Sequence, residues 1–479
     1  MTATLPQKHS RYGVGRHLPV GAAGLAVAVV VLGFRIEPRL DFVAAVVAII
    51  LGGALVSGAS GLSLRRLTIP AVWYYSYIST TIIPALFLAS STRSPYVTPF
   101  LLAVVVTLFT VPLGMLLVNL ALGRGRSQIR AFFRAPVERR PLATFEVAAF
   151  AVLLALALAL TVGYLIETPV IPLLYLIRNP GSAAIVVGLR EESFKLLDSP
   201  FLYAYDIVRN VMYPFLIALA LGYYLSTRRM LWLVLFLLTS AVGLFYAAAS
   251  IAKAPVAVIM LVAVLFVYLY RGGRLGWRIT VIGFSAVFLF PVAVVFQSFS
   301  GLGFNAGDIA LAIARRVFYV PAEVLYNYFV VVPDVVPYLH GRTIGRVQWI
   351  LGENDFNIAN FVYGRMFPDR IASGLANTSF LGYLHADFGL AGVLLGGAVT
   401  GALMQLCQLW LTRRPKTVVT LAAYSYFLWV AWKLNSQSLP QVLLSGGTVV
   451  ILVLIGALRE GAAFLAVATS HPPDTPGRE

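Results

Sequence analysis

The sequence predicts an all-α, polytopic membrane protein. Three observations predict it. Hydrophobic residues make up 59% of the 479 residues and charged residues only 11%, against about 25% charged in soluble domains. Runs such as 21–34 and 101–122 are apolar throughout instead of alternating, which selects helices over a β-barrel. Lys and Arg gather at every second connector, as they do on the inner side of a membrane protein.

About twelve spans emerge, each near the roughly 20 residues that cross the hydrocarbon core. The first nine, in 1–297, are expected at 18–34, 42–62, 71–91, 99–122, 142–166, 201–225, 230–250, 255–270 and 279–297. The last three, in 379–460, are expected at 380–411, 417–434 and 441–458. The first follows Lys8, Arg11 and Arg16 with no small-residue cleavage site after it, and reads as a retained helix. The segment 380–411 is too long for one straight crossing and is expected to begin with a turn or an interfacial piece. Residues 461–479 read as a Pro-rich polar tail.

Orientation follows from the basic residues. Arg65/Arg66, the run Arg124 to Arg140, Arg228/Arg229, Arg271/Arg274/Arg278, and Arg413/Arg414/Lys416 fall on one side without a break in parity. That places both termini in the cytoplasm. The same bias accounts for a net charge of +17 without nucleic acid. Two connectors then lie outside the membrane, about 167–200 and 298–378. The second is rich in aromatics, among them Phe318, Tyr319, Tyr328, Tyr338 and Trp349, so it is expected to be ordered, with short helices, and functional.

The chemistry is sought there. No Walker A sequence, H-E-x-x-H or serine elbow is present, and Cys407 is the single cysteine, so thiol-ligated metal and disulfides are excluded. No cofactor or metal is expected. The long connector carries Arg315, Arg316, Glu323, His340, Arg342, Arg346, Glu353, Asp355, Arg365, Asp369 and Arg370. Arginine suits bidentate binding of phosphate oxygens, so the cluster is a candidate pyrophosphate clamp; the alternative is contact with headgroups or with neighbouring acids. His385 and Asp387 stand where the chain re-enters the membrane, where ionisable groups are functional candidates. His385 is a candidate base; Asp387 either assists it or fixes the helix entry. Lys253 sits in a tight turn and either meets a lipid pyrophosphate or snorkels. Asp206 and Arg209, at i and i+3, either pair on one helix face or lend Arg209 to the substrate. Gly392-x-x-x-Gly396 and Gly397-x-x-x-Gly401 allow close helix approach.

Taken together the pattern resembles the bacterial oligosaccharide repeat-unit polymerases, the O-antigen polymerase (Wzy-type) family. The resemblance rests on the long connector before the last three spans, on Arg315-Arg316-Val317-Phe318-Tyr319-Val320-Pro321, on His340-Gly341-Arg342 and Glu353-Asn354, on the Lys253 turn, and on Thr378-x-x-x-Gly382-Tyr383-x-x-Ala386-Asp387-Phe388-Gly389-x-x-Gly392. It covers about residues 200–405. It implies a glycosyltransferase-C-like architecture in the cytoplasmic membrane. The implied reaction joins undecaprenyl-pyrophosphate-linked glycans at the outer face, without nucleotide or metal. It also brings in a flippase and a chain-length regulator as partners beside the lipid bilayer. The implied roles are pyrophosphate or glycan binding for Lys253, Arg315, Arg316, Arg342, Arg346 and Arg209, and base or acceptor-orienting work for His340, His385, Glu323 and Asp387. The rival readings are a ligase using the same donor, a transporter or flippase of lipid-linked glycans, and a non-catalytic scaffold.

Overall fold

The structure, a computed structural model, describes residues 38–62, 64–123, 125–138, 144–179, 185, 188–190, 199–273, 281, 285, 292, 306–350, 356–368, 374–444 and 446–456. Among them there is no strand. The principal helices are α1 Pro38–Ser60, α2 Ile69–Ser91, α3 Val97–Leu122, α4 Gly125–Arg134, α5 Thr144–Glu167, α6 Pro172–Arg178, α7 Phe201–Thr227, α8 Met230–Ala249 and α9 Lys253–Tyr270. There follow α10 Ala306–Ala314, α11 Val320–Val331, α12 Gly345–Ile350, α13 Ile358–Met366, α14 Phe380–Thr412, α15 Val418–Lys433 and α16 Leu439–Gly456.

Eight of these helices are long and apolar enough to cross a membrane, and each falls on a span expected from the sequence. They are α2, α3, α5, α7, α8, α14, α16 and the Phe42–Ser60 part of α1. The expected span 255–270 is a shorter apolar helix, and 417–434 is the 16-residue α15. Spans 18–34 and 279–297 fall on or largely on residues outside the described set, as does the tail. Large apolar side chains such as Ile50, Val152, Leu231 and Leu395 stand exposed on the helices, a surface suited to lipid and not to water.

The chain divides into two compact units. The first comprises Met1–Ala135, Ala310–Pro415 and Phe427–Val442; the second Pro136–Ile309, Lys416–Tyr426 and Leu443–Glu479. In the first unit α3 is the central helix, and α14 is its main partner. Glycines set their distance. A Cβ at Gly397 would strike the Thr110 side chain, and one at Gly401 the Val111 carbonyl. Gly114 faces the Ala398 carbonyl in the same way. In the second unit α7 packs on α8 and α9, with Gly243 pressed on the Tyr213 ring and the Tyr213 hydroxyl 2.7 Å from Thr161 Oγ1.

Three helices carry a π turn: Ile78–Ile82 in α2, Val208–Met212 in α7, and Arg315–Tyr319 between α10 and α11. All three have one local cause. Each precedes an X-Pro pair: Ile83-Pro84, Tyr213-Pro214 and Val320-Pro321. Proline lacks an N–H and its ring strikes the carbonyl four residues back. Those carbonyls belong to Thr80, Asn210 and Val317, the middle residue of each π turn. The turn widens, and the residue before each proline bonds five back: Ile83 to Ile78, Tyr213 to Val208 and Val320 to Arg315.

The 298–378 connector contains short helices, as its aromatics predict. Val324, Tyr328, Val331, Val336, Leu339, Ile358 and Val362 form a core of their own with Tyr383 and Ala386 of α14. Each buried aliphatic or aromatic side chain there is worth about 1.5–3 kcal/mol. Tyr328 donates its hydroxyl to Ala376 O at 3.0 Å, and Ala376 N–H reaches Ala359 O at 3.0 Å.

Candidate functional site

The re-entry motif is the start of α14, and α14 is not one helix. Gly389 has φ 61° and ψ −149°, outside the helical region, a backbone that essentially only glycine adopts. The piece 380–388 therefore turns back on the piece 390–412. A Cβ at Gly392 would strike the Leu384 carbonyl, and one at Gly396 the Leu384 side chain. The expected break before a straight crossing is this bend. The Tyr338 hydroxyl lies over it, 2.9 Å from where a Cβ of Gly389 would stand.

A helix that ends leaves its last carbonyls without partners. Here the connector supplies them: Leu339 N–H donates to Ala386 O at 2.9 Å and His340 N–H to Asp387 O at 3.0 Å. The chain then turns through left-handed residues, His340 at φ 49° and Gly341 at φ 92°. The turn closes on the Asp387 carboxylate. Gly341 N–H and Thr343 N–H donate to Oδ1 at 3.0 and 3.2 Å, and the Thr343 hydroxyl donates to Oδ2. Asp387 is 5% exposed, and both its oxygens are engaged. Its arrangement is that of an anchor for the turn, built with Thr343 and backbone N–H groups and not with an arginine.

His385 is likewise enclosed. Its ring stacks on Phe329 with centroids 3.8 Å apart, lies edge-on to Tyr338, and sets Nε2 3.2 Å from Val332 O. With Nε2 as the donor, Nδ1 is the basic nitrogen, and it is buried without a hydrogen-bond partner. As placed, His385 has no open face to offer a sugar hydroxyl. The ionisable groups that the clamp does present are His340, exposed, and Arg342, half-buried.

Two further predicted residues come together on the π turn and the helix after it. Arg315 lies 3.8 Å from Glu323 and over the Tyr319 ring at 5.7 Å. Arg316 is exposed on the same turn. That turn packs against the π turn of α2. Arg209 belongs to the second unit, where it pairs with Asp206 at 2.7 Å and donates to Ser250 Oγ at 3.0 Å. Asn210 Nδ2 adds a bond to the same Asp206 oxygen at 2.8 Å. This is the pairing expected at i and i+3. The side chains of Lys253 and Arg346 lie outside the described residues, as do Glu353, Asp355, Asp369 and Arg370.

Sequence reasoning missed Thr343, Tyr338, Phe329 and Val332, the partners of the re-entry motif. Each lies at least 44 residues from the motif residue that it touches and carries no motif chemistry of its own. Tyr96 and Asp334 were also unforeseen: the Tyr96 hydroxyl donates to Asp334 at 2.6 Å, tying the connector to the start of α3. That bond holds the tyrosine hydroxyl above its ordinary pKa. An open recess lies elsewhere, in the second unit, lined by Glu138, Glu146, Tyr223, Ser226 and Thr417 among others. It takes in none of the predicted site residues. Among the described residues no three His, Cys, Asp or Glu side chains gather as a metal site would need. Compared with known proteins, the chain matches no family model, no curated protein and no solved structure, so the resemblance to the repeat-unit polymerases rests on the quoted residues alone.

Proposed function

We propose that the protein is a membrane glycosyltransferase that joins undecaprenyl-pyrophosphate-linked oligosaccharide units into a polysaccharide. The reading places both termini in the cytoplasm, the connector 298–378 on the outer face of the cytoplasmic membrane, and about twelve spans in a glycosyltransferase-C-like arrangement. The acceptor hydroxyl attacks the anomeric carbon of the growing chain. The bond from that carbon to the pyrophosphate oxygen breaks, and undecaprenyl pyrophosphate leaves. The hydroxyl proton passes to a base.

The observation that carries the reading is the clamped turn. Asp387 holds the backbone of 341–343, and the clamp sets His340, exposed, and Arg342, half-buried, beside a bent, membrane-entering helix. In this scheme Arg342, Arg315 and Arg316 stabilise the charge that develops on the leaving pyrophosphate. His340, exposed beside the turn, takes the proton as general base. Asp387 and His385 hold the scaffold.

The test uses purified protein in nanodiscs with a lipid-pyrophosphate-linked repeat unit, products being resolved by glycan length. The expected result is a ladder from the unaltered protein and a loss of at least about 100-fold in Arg342→Ala, the scale of one transition-state charge contact. His340→Ala should lose a similar factor. No ladder from a verified native substrate overturns the function. A ladder untouched by both substitutions overturns the site and keeps the function.

A further inference from the structure

One end of the first unit concentrates positive charge. The loop 61–68, the stretch 123–135 and the end of α14 at 409–415 contain Arg65, Arg66, Arg126, Arg130, Arg134 and Arg413 among their basic residues, and not one Asp or Glu. Helix α4 lies across this end. Its Ile129, Phe132 and Phe133 are buried, and Gln128 Nε2 pins it to Leu409 O at 2.9 Å. Arg126, Arg130 and Arg134 recur every four residues along the other side.

Arg126 and Arg130 meet over one glycine. Gly61 has φ 65°, and a Cβ there would strike Arg126 Cα and Cβ, so only glycine lets α4 cross so closely. Arg130 donates Nε to the Gly61 carbonyl. Arg126 finds no such acceptor: its Nε and Nη2 are buried and make no hydrogen bond. Burial, and then the Arg130 charge, push the guanidinium below its usual pKa. Arginine nonetheless keeps its proton at any physiological pH. Like charges at i and i+4 repel, and every buried donor left unmade is costly. Among the described residues these two forked cations stand side by side with no ion pair to a carboxylate.

The position says which anion. Here α1, α3 and α14 end their apolar runs at Ser60, Leu122 and Thr412, and α2 begins at Ile69, the level at which lipid headgroups lie. Just before α4, Leu117, Leu120 and Leu122 are exposed large apolar side chains, a seat for acyl chains beneath a headgroup. We propose that Arg126 and Arg130 bind the phosphate of an anionic phospholipid headgroup. Guanidinium forks match phosphate oxygens bidentately, and the bound phosphate supplies the acceptors that Arg126 lacks. This inference does not depend on the glycosyltransferase reading.

The experiment follows the purified full chain by native mass spectrometry and by thermal melting, with phosphatidylglycerol, phosphatidylcholine or inorganic phosphate added. The unaltered protein should retain phosphatidylglycerol in preference to phosphatidylcholine and melt higher with it. The double variant Arg126→Gln/Arg130→Gln should lose roughly 30-fold in phosphatidylglycerol retention and lose the melting shift. Arg130→Gln alone, an exposed position, serves if the double variant does not fold, and should lose about 5-fold. Equal retention of phosphatidylglycerol by variant and unaltered protein overturns the proposal. So does an equal melting rise with inorganic phosphate, which would make this a site for a soluble anion.

Discussion

Asp387 and Thr343 are joined twice: the Thr343 N–H donates to Asp387 Oδ1 at 3.2 Å and the Thr343 hydroxyl donates to Oδ2. A turn of the connector and a helix residue 44 positions further along the chain are thereby locked in register. Removing one partner leaves buried polar atoms without bonds, which costs more than the bond itself is worth. Thr343→Val should lower stability by about 1–2 kcal/mol. Asp387→Ala strands three donors and should cost about 3 kcal/mol. Thr343→Ser keeps the hydroxyl and should stay close to the unaltered protein. Melting in detergent checks the order, and Thr343→Val melting with the unaltered protein would show that the backbone bonds at 339 and 340 hold the turn alone.

Gly389 makes a different prediction because its constraint is in the backbone. Gly389→Ala must adopt φ 61° with ψ −149° and also meet the Tyr338 hydroxyl. The strain is of order 1–3 kcal/mol, and the contact adds to it. The double variant Gly389→Ala/Tyr338→Ala removes the contact and keeps the strain. It should recover only the part of the loss that the ring causes, beyond the cost of Tyr338→Ala itself. Full recovery in a double-mutant cycle would place the whole cost in the side-chain contact.

Eight of the expected spans were legible in the sequence and the clamp was not, for one physical reason. A membrane span is a local property, a run of apolar residues such as 97–122, and composition alone reports it. The clamp is a pairing of polar groups on Asp387 with a turn at 341–343, and no periodicity links such distant stretches. His385 and Asp387 could be singled out from their place at a membrane boundary. Their partners Phe329, Val332 and Thr343 gave no signal, so the choice between base and anchor stayed open. The π turns were readable in principle from Pro84, Pro214 and Pro321. They passed unseen because proline scarcely interrupts an apolar run. Arg126 was hidden in the opposite way, as one basic residue among many on a face already explained by membrane orientation.

Glycines in this protein divide sharply by what surrounds them. At Gly401 an added methyl meets the Val111 carbonyl, part of a helix backbone that cannot step aside. Gly401→Ala should cost about 1–3 kcal/mol, the range for overpacking. At Gly364, inside α13, an added methyl meets nothing within 4 Å. Gly364→Ala should be neutral or stabilise by up to about 1 kcal/mol, since glycine weakens a helix interior. Melting temperatures of the two variants should move apart. Similar shifts in both would mean that the contact between α3 and α14 relaxes freely.

Pro321 controls where Arg315 and Arg316 point. Its ring forbids the ordinary helical approach of the Val317 carbonyl, and Val320 bonds to Arg315 O instead. Pro321→Ala returns an N–H at position 321 and removes the ring, so the α-helical ladder competes with the π turn. The two differ by one residue in the turn, which swings everything before it by about 100°. Arg316→Cys, in a Cys407→Ser background that removes the single native thiol, reports the swing through its rate of reaction with a water-soluble thiol reagent. The rate should change several-fold when Pro321→Ala is added, and not when Pro214→Ala is added, since that proline shapes α7. An unchanged rate would assign the turn to its packing against Ile78–Ile82 of α2. The two arginines would then owe their direction to a neighbouring helix and not to the proline that follows them.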